Sequence, residues 1–236
     1  MSAVFKREFK AFFASPIGYI VLAMLFCFSG YYFFLYNLTL GEKDLSGVFG
    51  GVFTIVMLLV LPVLTMRLFS DDKRQRTDQA LLTAPVKLTG IVLGKFFAAL
   101  LVFAIGLCIT LVYGIVIAFV VTPDWLTILG NFLGLLLLGG MVIAAGIFFS
   151  SLTESQFIAA ICTFAFSFVL IMLDSLSSVF SSSEVIVTVV NFLSVTQRYN
   201  DFTLGAINYD NILFFLSMQA LFLFLTVRVL DHKRWS

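Results

Sequence analysis

Charge is what this chain has least of. Only 11% of its 236 residues are Asp, Glu, Lys or Arg, less than half the share of a soluble globular domain. So few charged side chains cannot cover a water-facing surface, and most of the surface must face lipid. A net charge of +1 gives no footing for nucleic-acid binding. Histidine occurs once, as His232, beyond the last apolar run. A serine protease working inside the membrane needs a histidine within a span, and an aspartyl one needs two buried aspartates; neither is present. The three cysteines, Cys27, Cys108 and Cys162, all fall inside apolar runs. They read as packing or lipid-facing residues, with no disulfide framework or metal site. No ionisable residue stands in the middle of an apolar run; Arg67, Lys95 and Asp174 are at ends. Ion-coupled transporters place such groups near the midplane. No selectivity-filter signature or charged pore ring points to a channel. Gly90–Phe96 falls one residue short of a P-loop between its glycines, and Phe96 stands where Ser or Thr would hold Mg²⁺. The chain therefore has no visible engine of its own.

What it has is long apolar runs, and they predict an all-α integral membrane protein with six transmembrane helices in a single domain, 1–236. The spans are expected at 17–38, 48–68, 91–121, 126–149, 157–173 and 212–227. The third is longer than a bilayer requires, so its first turns, with Lys95, are expected to protrude or tilt. Residues 2–14 put Phe5, Phe9, Phe12 and Phe13 on one helical face and Lys6, Arg7 and Lys10 on the other. That is the pattern of a helix lying in the headgroup region; a plain extension of the first span is the alternative. Ser15-Pro16 breaks it. Gly130 and Gly134, four apart in the fourth span, are candidates for close helix packing. Residues 174–211 are too polar for a span yet carry an apolar stretch, so they are expected to form an amphipathic or re-entrant outer element.

The basic residues sort sharply. With six spans, twelve of the fourteen Lys and Arg fall on one side: three in the amino-terminal tail, six in 66–95 and three in the carboxy-terminal tail. Only Lys43 and Arg198 fall on the other. The positive-inside rule then places both termini, and 66–95, in the cytoplasm.

Residues 70–86 are the charged handle between the second and third spans. Ser70 can cap a helix whose first turn carries Asp71 and Asp72. Ala80-Leu81-Leu82 is an apolar knob, and Thr83-Ala84-Pro85 ends it. A short helix that is apolar in the middle and polar at its edges suits docking to a protein; a solvated linker with its leucines against lipid is the alternative.

Met66–Arg74, Thr77 and Leu81–Val86 resemble the signature of type-2 ATP-binding cassette (ABC) permeases, and most closely the gliding-motility subgroup. Phe5–Lys10 with Ser15–Tyr19, Leu93–Phe96, Ser151–Gln156, and Phe202, Gly205, Ile207 and Asp210 are similar to further stretches of that subgroup, in order along the whole chain. The resemblance implies an exporter permease subunit that is not itself an enzyme. By that resemblance it would pair with a second permease subunit, identical or different. It would be driven by a cytoplasmic ABC ATPase dimer, which would hold the ATP and Mg²⁺. It would sit in a bacterial cytoplasmic membrane. Asp72, Arg74, Thr77, Asp78, Gln79, Leu81, Leu82, Thr83 and Pro85 would form the ATPase-coupling segment. Cargo is unidentified and expected to be hydrophobic or lipid-like. The subgroup also implies an alternative, a mechanotransmission or scaffold subunit that works on an extracytoplasmic accessory protein without transport. Arg76 and Gln79 stand where the family has glycine and glutamate.

Overall fold

The computed structural model describes residues 2–42, 44–74, 87–119, 122–179, 194–206 and 208–235. Its helices follow the apolar runs. They are α1 Ser2–Ala14, α2 Pro16–Phe33, α3 Ser46–Ile55, α4 Leu61–Thr65, α5 Ser70–Arg74, α6 Leu88–Ala118, α7 Trp125–Leu152, α8 Gln156–Val179, α9 Val195–Thr203 and α10 Tyr209–Trp235. π-helical turns continue α2 through Phe34–Thr39 and join α3 to α4 through Val56–Val60. The second turn lies just ahead of Pro62, whose missing amide already disturbs the ladder.

Among the described residues six segments are long and apolar enough to cross a bilayer: Pro16–Thr39, Ser46–Arg74, Leu88–Ala118, Trp125–Leu152, Gln156–Leu173 and Tyr209–His232. The protein is an all-α integral membrane protein. Large side chains such as Phe157, Phe119 and Leu213 stand exposed on its outer surface, where the solvent is hydrocarbon. The third span starts three residues before its expected first residue, at Leu88.

Span four is the axis. It is the most buried span, and spans two, three, five and six and the short helix α9 all pack on it. Its small residues allow this. Gly140 faces Gln219 of span six, whose amide donates to the Leu137 carbonyl at 2.9 Å. At Gly146 an added Cβ would collide with Thr65 Oγ1 of span two and lie 2.6 Å from its Cβ. Gly146→Ala therefore forces spans two and four apart. It should cost about 1–3 kcal/mol, the range for overpacking a close-fitted contact, read as a lower unfolding temperature in detergent. The expected pair Gly130 and Gly134 does admit a close neighbour, but that neighbour is α9 rather than another span: added Cβ atoms would lie 3.1 Å from the Phe202 carbonyl oxygen and 3.0 Å from Phe202 Cβ.

The short helix α9 caps one end of the bundle. Tyr199 is buried, stacks on Phe53 of span two at 4.7 Å, and donates to Asn131 Oδ1 of span four at 3.1 Å. Burial pushes its phenol pKa up. The helix stops at Gly205, whose φ of 74° puts it in the left-handed region. Residues 180–193, which include the whole apolar stretch 185–193 of the expected outer element, lie outside the described residues.

At the opposite end α1 and the last turns of span six both meet the start of span three. α1 lies across the start of span three, with Val4 against Gly94, and the last turns of span six flank the same region through Phe224, Val227 and Arg228. Phe12 is fully buried, and Phe5, Phe9 and Phe13 are part-buried against the core. The aromatic face of α1 is thus turned on the bundle.

Candidate coupling site

The site is built where span two stops being a regular helix. α4 ends at Thr65, and α5 resumes at Ser70. Restarting a helix strands backbone N–H groups that have no carbonyl one turn back. Here the Phe69 and Ser70 amides are met by a side chain from another span: both donate to Ser150 Oγ, each at 3.0 Å. The Ser150 hydroxyl in turn donates to the Met66 carbonyl at 3.2 Å, and Ser70 Oγ donates to the Ser150 carbonyl at 3.2 Å. This corrects one expectation. Ser70 does not cap its own helix; it is buried, and α5 is capped from span four by Ser150.

Three more contacts fix the root of α5. The Lys73 ammonium donates to the Ser151 carbonyl. Gln156, at the start of span five, donates through Nε2 to Asp71 Oδ1 at 3.0 Å. Arg67 reaches the carboxy end of α1, donating to Ser15 Oγ and, at 2.9 Å, to the Ala11 carbonyl, with its guanidinium 5.0 Å from the centre of the Phe12 ring.

Lys95 completes the arrangement. Its side chain is 1% exposed, inside the second turn of span three. The ammonium lies 2.7 Å from Asp72 Oδ2 and 3.1 Å from Glu8 Oε1, and donates to the Leu68 carbonyl at 2.6 Å. It also sits 5.0 Å from the centre of the Phe69 ring. Arg7 pairs with the same Glu8 oxygen at 2.5 Å. An ammonium can be buried only when carboxylates and carbonyls replace its water, and here one carboxylate comes from α1 and the other from α5.

Of the residues expected to couple to an ATPase, Asp72 and Arg74 are in α5; Asp72 faces Lys95 and Arg74 is exposed. Arg74 also lines an open cleft of about 610 Å³ with Glu154, Ser155 and Gln156. Thr77, Asp78, Gln79, Leu81, Leu82, Thr83 and Pro85 lie outside the described residues. Among the described residues no cluster of His, Cys, Asp and Glu could hold a metal ion.

A membrane protein of six spans, with a polar root wedged among α1 and spans two to five, has the makings of a driven permease. The family model described as ABC-2 family transporter protein matches residues 5–173. The chain belongs to the ABC-2 transporter family. The match runs from α1 through span five and so contains every residue of the polar root. ABC-2 proteins of this kind are the permease component of an ABC transporter, with the ATPase in general a separate subunit. No curated protein matches the chain significantly.

Sequence reading reached Glu8 and Gln156 only as members of the stretches Phe5–Lys10 and Ser151–Gln156, and did not reach Ser150, since each is an ordinary polar residue until its distant partner is known. Lys95 did leave a signal: a lone cation inside an apolar helix, with no water to serve it, must have a carboxylate nearby.

Proposed function

We propose that this ABC-2 protein is the permease subunit of an ATP-driven exporter in a bacterial cytoplasmic membrane. It works as a pair with a second permease subunit, above a cytoplasmic ABC ATPase dimer that holds the ATP and Mg²⁺. The ATPase docks on the segment that follows α5, and its closure displaces that segment. One observation carries the reading. The root of the segment is bonded to α1 and to spans three, four and five, so a push on it reaches most of the bundle rather than one helix. The cargo that fits the exposed, overwhelmingly apolar spans is hydrophobic or lipid-like. In vesicles holding the permease and its co-purified ATPase, export predicts cargo-stimulated ATP hydrolysis. The order of motifs resembling the gliding-motility subgroup favours a second reading, force transmission to an extracytoplasmic protein. Hydrolysis that responds only to such a protein would select it.

Orientation has its own test. Cysteines replacing Glu42 and Asn208, both exposed at the α9 end, should react with an impermeant thiol reagent on intact spheroplasts. Cysteines replacing Lys10 or Arg74 should react only after lysis. The reverse pattern would put the coupling segment on the wrong side for an ATPase.

A further inference from the structure

Lys95 does more than neutralise a neighbour. Arg7, Glu8, Lys95 and Asp72 form a chain of alternating charge that sums to zero, running from exposed to buried and back. Its members come from three elements: α1, span three and α5. In these ion pairs Lys95 is the member that joins the other two elements, touching Glu8 of α1 and Asp72 of α5. Its ammonium also takes the Leu68 carbonyl, in the irregular turn ahead of α5. One side chain thereby fixes the start of α5 at two points, Leu68 and Asp72, and fixes Glu8 of α1 at a third. Arg67 secures the other, carboxy-terminal end of α1 independently.

We propose that Lys95 is the positioning residue of the coupling segment, the group through which α1 and the root of α5 are held in register and move as one body. This rests on the reading of 70–86 as the ATPase-coupling segment. It goes further by assigning the junction to one side chain in span three. Loss of Lys95 leaves both partner helices folded but lets them move separately. The geometry favours a positioning role over a merely stabilising one. A buried ion pair is weak as a source of stability and can often be replaced by neutral groups of similar size. It is specific in direction, because the ammonium must satisfy two carboxylates at once.

The test separates the two roles. In a background of Cys27→Ala, Cys108→Ala and Cys162→Ala, spin labels are placed at Lys6→Cys on α1 and Arg74→Cys on α5, both exposed. The full chain is studied in lipid nanodiscs without any ATPase. Lys95→Met alone leaves two carboxylates facing an apolar side chain and should lower the unfolding temperature. The neutral set Lys95→Met, Glu8→Gln and Asp72→Asn removes that strain and should restore the unfolding temperature. Positioning by Lys95 predicts that the neutral set nonetheless widens the label-to-label distance distribution by about twofold or more, because the two elements sample separate states. A wild-type distribution in the restored variant overturns the proposal. Should the neutral set fail to fold, Glu8→Gln decides in its place, since it cuts only the α1 arm. A widened distribution supports the proposal and an unchanged one overturns it. No ATPase enters the measurement, so this result stands or falls apart from docking at 70–86.

Discussion

Leu81→Asp combined with Leu82→Asp should abolish co-purification of the ATPase while leaving the permease inserted and folded. The two leucines are the apolar centre of a segment whose residues 70–79 are all Ser, Asp, Lys, Arg, Gln or Thr. A docking surface of that composition takes its binding energy from the few side chains it buries fully. Putting a carboxylate in each of those two places asks the partner to desolvate two charges without compensation, at a cost of several kcal/mol. Each 1.4 kcal/mol is about a tenfold change in the dissociation constant, so the complex should weaken at least about a hundredfold. The unfolding temperature of the permease alone should not move, because the apolar spans contain neither residue. The measurement is recovery of the ATPase with tagged permease from mild detergent, beside thermal unfolding of each variant. Recovery at the wild-type level would mean that the ATPase grips some other surface.

The spans were legible because lipid imposes a simple rule: about twenty apolar residues and no lone charge. Proline marked a break, as Pro16 does between α1 and span one. The aromatic stripe of α1 was legible as a stripe, but not its neighbour. Amphipathicity says that a face needs an apolar cover, and the bundle supplies for Phe12 what lipid would have supplied equally well. The same limit applied to Gly130 and Gly134. Their spacing announces a close approach without naming the approaching element, here Phe202 some seventy residues later. Of the irregularity of span two, only the bend at Pro62 was legible. Its π-helical residues Val56–Val60 are plain aliphatics, and the stop at Thr65 depends on a bond made by Ser150, 84 residues beyond Met66. Local sequence cannot carry information held by a partner that far away.

Ser150→Ala should therefore be among the most damaging single changes in the chain, although serine to alanine in a membrane helix is ordinarily mild. The hydroxyl accepts two backbone amides, Phe69 and Ser70, and donates to the Met66 carbonyl. Ser150, Ser70 and Phe69 are all buried, so water cannot readily take its place. A buried donor left without a partner costs about 1–3 kcal/mol, and Ser150→Ala leaves two. A total of about 2–6 kcal/mol is expected, lowering the unfolding temperature by on the order of 10 °C. Ser150→Thr keeps the hydroxyl and should lose much less. The contrast matters because alanine and threonine differ from serine in opposite ways: one removes the acceptor, the other adds a methyl group. If crowding around span four were the controlling factor, threonine would be the worse of the two. If the Ser150 oxygen holds α5 in place, alanine is worse, and cysteines in the segment after Arg74 become more reactive in Ser150→Ala than in wild type as the root loosens. The observation against it would be Ser150→Ala unfolding at the wild-type temperature, which would mean that α5 keeps its position through Lys95, Lys73 and Gln156 alone.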